Sequence, residues 1–490
     1  MKPQRILIFL LITAITAICA ALLFPEEGID ISDSLRLRFH INLPTQNRDT
    51  TQITDVTQIA KIDSIINQFA EIKEDTILEP IADTVVADTL PKPEQKPATT
   101  AKPAKTEFNQ NIQRIEFPDN SDHFSSFFVR LTNCGQNKVR ILHYGDSQIE
   151  GDRITGYLRN LMQKRFGGSG PGLQPAIPPI AKSSAIVHTA SANWHQHSIY
   201  NKKDTSVRDS RFGIMGYLAR FNTPSAWIEF AESGRAYRSV RNFTQCNIFY
   251  GEASSNFTVK GYVNSNLKWF EDIEPTTDTK QLRWTFDEVP KQFRIEIEAE
   301  QSPDIYAITL DSPTGVAVDN LPFRGSRGTE FVKLDLAQMK QMGRYLPVGL
   351  IIYEFGVNAV AFNSRSYSYY EENLRKQLRY LKKVWPKADI LIVGVSDMSE
   401  KGANGYVTRP SVKKVIEAQR NAAFAEGCAF WNLYEAMGGY NSMPVWVNNH
   451  MAQKDYTHFN REGGHRVAQM LYNALMYEYE ANQTQAENVN

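Results

Sequence analysis

A chain of 490 residues is long enough for more than one domain, and its 54 basic side chains are balanced by 54 acidic ones. No dense Lys/Arg block appears in the body, which excludes nucleic acid as the main partner, since phosphate binding needs a basic surface. The four cysteines, Cys19, Cys134, Cys246 and Cys428, show no metal-ligand or redox spacing, and they are too few and too ill-placed for a disulfide-built scaffold.

The N-terminus begins with Lys2 and Arg5, continues through an uncharged apolar run over 6–24, and then turns acidic in "PEEGIDISD". That run is just long enough to span a bilayer, and its flanks predict the N-terminus inside and the body outside. A cleaved signal ending near Ala20 or Ala21 is the alternative; either way the body is exported. Residues 1–24 are thus read as an anchor and 25–108 as a stalk and linker. Within the stalk "LRLRFHINL" alternates like a strand, 53–72 has helical spacing, and 84–105 is a Pro/Lys/Thr/Ala-rich linker that cannot bury a core.

Beyond the linker the pattern is that of a folded α/β domain. "FSSFFVRLTN" reads as a helix, "KVRILHYG" as a buried strand and "ITGYLRNLMQKRF" as an amphipathic helix. Later "GVAVDNL", "VGLIIYEFG", "ADILIVGVS" and "AFWNLY" read as strands alternating with helices, the last being "EGGHRVAQMLYNALMYEY". Continuous apolar strands between amphipathic helices predict a parallel sheet covered on both faces. Between the two blocks, 184–312 consists of short alternating runs such as "NFTVKGYVN" and "FRIEIEAE", an all-β pattern of sandwich or barrel type. The expected organisation is an α/β domain over 109–183 and 313–482, interrupted by a β domain over 184–312 and followed by a tail over 483–490. Aromatic residues make up 11% of the chain, and Trp227, Trp269 and Trp284 of the β region suit either its core or sugar stacking.

Four short segments carry chemistry. In "HYGDSQ", Ser147 follows a buried strand and is expected to open a helix, where its N–H would lie at the positive helix end. It is either a helix cap or a nucleophile. "DNLPFRGSRG" places Gly325 after another strand, with a backbone N–H that a substrate carbonyl can approach. "EFGVNAV" ends a third strand with Gly356 and Asn358, whose amide is either a turn former or an oxyanion donor. "DYTHFN" sets Asp455 three residues before His458, so that the carboxylate can orient the imidazole as a base, or the segment only caps the last helix.

Taken in order, these segments resemble the SGNH (GDSL-type) hydrolase superfamily. The serine block has Gln148 where the family name has Leu, and the Asn block has Ala359 in place of an acidic residue. The resemblance implies a flavodoxin-like α/β fold, with Ser147 as nucleophile, His458 as general base and acid, and Asp455 as its orienting partner. The oxyanion hole would be the N–H groups of Ser147 and Gly325 with the Asn358 amide, and no metal or organic cofactor takes part. The run from His143 through Gly170-Pro171-Gly172 further resembles peptidoglycan and polysaccharide O-acetylesterases of bacterial envelopes, which carry a β-sandwich insert at the place of 184–312. That resemblance implies an acetylated glycan as substrate, and with the N-terminal apolar run it gives an inner-membrane-anchored protein with its body in the periplasm as the expectation. Two alternatives stay open. One is an O-acetyltransferase working with a membrane-bound O-acyltransferase through the same triad; the other is a non-catalytic glycan-binding protein.

Overall fold

The computed structural model describes residues 29–32, 35–37, 56–67, 112–119, 121–200, 205–361 and 364–489. The expected anchor over 6–24 and the linker over 84–105 lie outside them. Among the described residues no helix is long and apolar enough to cross a membrane. The chain divides into two units, Met1–Gln52 and Ile53–Asn490. The first holds a small hairpin in which Ile29–Ser32 pairs antiparallel with Leu35–Leu37.

The second unit is built on a parallel sheet. Its strands are β1 (Lys138–Gly145), β2 (Gly315–Pro322), β3 (Val348–Glu354), β4 (Asp389–Val393) and β5 (Ala429–Trp431). They run parallel in the spatial order β2-β1-β3-β4-β5, and Ile115–Glu116 closes the far edge antiparallel. This is the flavodoxin-like order, in which the chain reverses its direction of winding between β1 and β3. Successive strand residues face opposite sides, so each strand feeds two cores. Leu142, Tyr144, Ile351, Tyr353, Ile390 and Ile392 face one core. Ile141, Leu350, Ile352, Leu391 and Val393 face the other.

Among the helices that cover these faces are α1 (Thr155–Phe166), α2 (Ser368–Val384), α3 (Val412–Ala425) and α4 (Arg461–Val489). On α2 the buried Leu374, Leu378 and Leu381 recur at intervals of four and three, the spacing that puts one apolar stripe on the sheet. Leu158 and Met162 of α1 and Val467 and Leu471 of α4 cover the opposite face. The helix Val56–Asn67, within the predicted stalk, packs on this body: Ile62 is buried and Gln58 Nε2 donates to the carbonyl of Gly438 at 2.6 Å.

Two antiparallel sheets occupy the chain between α1 and β2. One contains Gln245–Gly251 and Asp304–Asp311 at its centre, the other Phe257–Val263 and Gln292–Ala299. Their facing sides share a core that includes Ile228, Ile248, Phe293, Ile295 and Ile308. Trp284 is buried in it and stacks on Trp269, with ring centroids 5.2 Å apart and planes 12° from parallel. These two indoles are therefore core groups, and Trp227 is half-buried beneath the Arg294 guanidinium, 4.4 Å from its carbon to the ring centroid. A buried ionic network ties these sheets to the parallel one. Arg140 of β1 bonds both oxygens of Asp319 of β2 at 2.6 and 2.7 Å and also binds Asp311, which Lys138 reaches at 2.5 Å. Asp319 accepts the N–H of Leu173 as well, at 2.7 Å.

Candidate active site

The carboxyl ends of β1 and β3 meet at the point where the sheet order reverses, which is where open α/β sheets bind ligands. Gly145 ends β1 so close to β3 that a Cβ there would lie 2.8 Å from the carbonyl oxygen of Glu354. The chain then enters a tight turn. Asp146 is fully buried, its carboxylate accepting the N–H of Gln148 at 3.0 Å and that of Gly356 at 3.2 Å. It thereby joins the serine loop to the loop after β3. Burial, helped by the nearby Glu354 carboxylate, pushes Asp146 up to about 7, although the backbone N–H groups favour its ionised form.

Ser147 does not open a helix. A 3₁₀ turn over Glu150–Asp152 follows it, and α1 starts only at Thr155. Gly151 and Asp152 both have left-handed backbone angles, φ 70° and 64°, and this break holds back the helix. Asp152 is fixed there by Arg159 at 2.6 Å and by the Ser183 hydroxyl at 3.0 Å. The helix-capping reading of Ser147 is thus excluded, and with it the expected support of a helix terminus for its N–H.

The structure brings Ser147, His458 and Asp455 together from segments more than 300 residues apart. Ser147 Oγ lies 2.8 Å from His458 Nε2, and His458 Nδ1 lies 2.7 Å from Asp455 Oδ2. Asp455 Oδ1 accepts the N–H groups of His458 and Thr457, each at 3.0 Å. Burial alone would raise the Asp455 pKa, but those N–H groups and the imidazole outweigh it and hold the carboxyl below its usual range. An ionised Asp455 fixes the proton of His458 on Nδ1, leaving Nε2 to accept from the serine. Helix capping falls to Asn460 instead, whose Oδ1 accepts the N–H of Gly463 at 3.0 Å.

Gly325 and Asn358 lie in neighbouring loops. Gly325 has φ 77°, a conformation that favours glycine, and the space beside its α-carbon is open. Neither its N–H nor that of Ser147 has a partner among the described residues. Asn358 Nδ2 donates one hydrogen to the carbonyl of Ser326 at 2.8 Å, and Arg327 Nε binds the Asn358 carbonyl at 3.0 Å. These bonds fix the Asn358 loop against the Gly325 loop, and the second amide hydrogen stays available.

Three contributors were not singled out from the sequence. Gln148 Nε2 donates to the carbonyls of Thr457 at 2.7 Å and the hydroxyl of Ser396 at 3.2 Å, and its Oε1 accepts the N–H of Phe459 at 3.2 Å. Arg153 Nη1 donates to the carbonyls of Ser147 and Gln148 at 3.0 and 3.2 Å, bracing the turn from outside. Gln419 holds the Gly356 loop by donating to Phe355 O at 2.6 Å and accepting from Val395 N at 2.9 Å. The only local signal was Gln148 standing in the place of Leu. Among the described residues no group of three or more His, Cys, Asp or Glu side chains is placed to hold a metal.

No protein-family model and no curated protein matches the sequence. A solved structure of a peptidoglycan O-acetylesterase is similar over 73% of this chain and 96% of its own, with a TM-score of 0.60 and 24% identity. A family two carbohydrate esterase from Cellvibrio japonicus aligns over 60% of this chain and 99% of its own at 10% identity, and one from Clostridium thermocellum over 57% and 97% at 8%. Both of these have TM-scores of 0.24 and bear no weight on the fold. The chain shares the fold of the first of these structures, an α/β fold built on the parallel sheet described above.

Proposed function

We propose that this protein is a serine esterase that removes O-acetyl or other short acyl groups from a glycan. The observation that carries the reading is the unbroken relay from Ser147 Oγ through His458 to Asp455, at 2.8 and 2.7 Å, with the N–H groups of Ser147 and Gly325 unpartnered among the described residues. Ser147 Oγ attacks the acyl carbonyl as its proton passes to His458 Nε2. The negative charge that forms on the carbonyl oxygen is met by the N–H groups of Ser147 and Gly325 and the amide of Asn358. His458 then returns the proton to the departing sugar hydroxyl, leaving an acyl-serine. Water, deprotonated by His458, attacks that ester, and His458 returns the proton to Ser147 Oγ as the carboxylic acid is released.

The glycan as substrate is supported by the family resemblance of the motifs and by the shared fold. We further propose that the apolar run over 6–24 carries the body out of the cytoplasm and anchors it, which the basic flank before it and the acidic flank after it support. The test is acetate release from O-acetylated peptidoglycan and from acetylated capsular or plant glycans, by the wild type and by Ser147→Ala. Release by wild type alone supports the assignment, whereas equal release by the variant sinks it. Repeating the assay with a non-acetylated glycan present separates hydrolysis from acyl transfer, since a transferase would move the acyl group to the sugar and release little acetate.

A further inference from the structure

A cavity of about 1440 Å³ opens along α1, and none of the five proposed site residues lines it. It lies between α1, the segment 232–243 and the first turns of α4. One wall is aromatic. His465 lies flat on Tyr157, with centroids 4.7 Å apart and planes 19° from parallel, and Tyr237 is 6.0 Å from Tyr157, its hydroxyl 3.5 Å from His465 Nε2. Burial, together with the charge of Arg461, lowers His465 to about 4, so this wall is uncharged at neutral pH.

The remainder is cationic. Among the described lining residues seven lysines and arginines stand against two glutamates, a net charge of +5 with His465 neutral. Arg241 is committed to Glu232 at 3.0 Å. Arg235, Arg238 and Arg461 are exposed, and none forms an ion pair among the described residues. In a chain whose total charge is zero, this is a local concentration of positive potential in a walled space, where it acts most strongly on an anion.

We infer that this cavity binds an oligosaccharide bearing carboxylate groups, its sugar rings against the Tyr157–Tyr237–His465 wall and its acids on Arg235, Arg238 and Arg461. The C–H face of a pyranose ring packs on the negative face of an aromatic ring, and guanidinium forks pair with carboxylates in a bidentate way that neutral hydroxyls do not match. A nucleic acid fits less well, because the positive charge is confined to one cavity and forms no stripe along which a phosphate backbone could run. The place is apt for a substrate chain. Arg461 follows His458 by three residues, and Tyr157 sits on the helix into which the serine loop leads. The inference deepens the esterase reading by naming its substrate class and rests on that reading for the purpose of the site, though not for the binding itself.

The test is calorimetric titration of full-length Ser147→Ala protein, which cannot turn over an ester, with a hexamer of galacturonic acid and with the neutral galactose hexamer. The acidic hexamer is expected to bind at least about tenfold more tightly, and the preference to vanish in Arg238→Glu/Arg461→Glu and at high salt. Equal affinity for the two hexamers would overturn the inference. So would undiminished binding by the charge-reversed protein, or binding of a single-stranded oligonucleotide of matched charge as tight as that of the acid. The hexamer comparison needs no cavity variant, so a folding defect in one cannot shield the inference. Binding of the acidic hexamer together with no ester turnover by the wild type would sink the esterase reading alone. Ester turnover without such binding would sink this inference alone.

Discussion

The side-chain amide of Gln148 grips the backbone on both sides of His458. It donates to Thr457 O at 2.7 Å and accepts from Phe459 N at 3.2 Å, so the residue next to the proposed nucleophile sets the position of the proposed base. Gln148 is buried, and a leucine in its place could make neither bond. Catalysis through a base is sensitive to displacements of about 1 Å, which can cost about 10²-fold in rate. Gln148→Ala and Gln148→Leu are therefore expected to lower kcat about 10- to 100-fold toward a small acetyl ester, with KM nearly unchanged. Steady-state kinetics alongside a thermal melt checks this. A loss confined to KM, or a loss fully explained by unfolding, would remove Gln148 from the positioning role.

The relay itself makes a graded prediction. Ser147→Ala and His458→Ala are each expected to reduce kcat by about 10³-fold or more, and the double variant to be little worse than either, because the two groups act as one unit. Asp455→Asn should cost somewhat less or about as much, since it keeps a hydrogen-bond acceptor near Nδ1 but offers no ionised group to stabilise the imidazolium. Additive losses in the double variant would show that Ser147 and His458 do not share a proton.

How much of this was legible depends on how local each feature is. Ser147, Gly325, Asn358 and Asp455-x-x-His458 stand in short segments whose residue types announce chemistry, so the candidate residues could be named before any contact was known. The alternation of "KVRILHYG" and the leucine spacing of α2 likewise expose the buried sheet and its cover. The spacing of "ITGYLRNLMQKRF" gives α1 to within one residue, but the expectation that Ser147 opens a helix fails, because the interruption lies in two backbone angles at Gly151 and Asp152. Trp269 and Trp284 give no sign in sequence of which face of their strands they occupy, and their stacking settled them as core. The grip of Gln148 on residues 309 and 311 positions away, and the cavity assembled from Tyr157, Tyr237 and His465, are products of topology with no local signature.

The proposed oxyanion donors are separable by size of effect. Asn358→Ala removes the amide and is expected to lower kcat about 10²- to 10³-fold, with substrate binding little changed. Gly325→Ala meets no neighbour but forces φ 77° on a residue with a side chain, so a stability loss of about 1 kcal/mol is expected together with a fall in kcat. Pre-steady-state acylation measured with a chromogenic acetyl ester checks both. An Asn358→Ala enzyme that acylates at the wild-type rate would show that the amide serves only to hold the Ser326 carbonyl.

Asp146 predicts how stability depends on pH. Its carboxyl is raised from the ordinary value near 3.8 to about 7 by burial, so between those values the folded protein holds a proton that the unfolded chain has released. Binding more protons when folded means that stability from this group is present at low pH and is lost as pH rises toward 7, at no more than about 1.4 kcal/mol per pH unit. Asp146→Asn cannot titrate. The stability of the wild type minus that of Asp146→Asn is therefore expected to fall between about pH 4 and pH 7 and to level off above. Urea unfolding of both proteins across that range checks it; a difference that grows with pH would mean that the N–H groups of Gln148 and Gly356 hold the carboxylate ionised.

The ionic network behind β1 is one joint between the parallel sheet and the antiparallel sheets, beside their shared apolar core, and it predicts an asymmetry between removing one partner and removing all. Arg140 is fully buried; burial disfavours its charge, but the paired carboxylates of Asp319 and Asp311 more than compensate and keep it ionised. Arg140→Met would leave Asp319 buried with only the Leu173 N–H and Asp311 with Lys138. Stranding a buried charge in this way typically costs about 3–5 kcal/mol, whereas replacing a whole buried network by apolar groups of similar volume is often close to neutral. Arg140→Met is thus expected to lower the unfolding free energy by about that amount. The triple variant Arg140→Met/Asp311→Leu/Asp319→Leu is expected to recover part of it, short of wild type because the N–H of Leu173 would then lose its acceptor. Denaturant titrations of the three proteins decide the matter. A triple variant less stable than the single one would show that the network contributes net stability, and that the two sheet systems depend on it to stay joined.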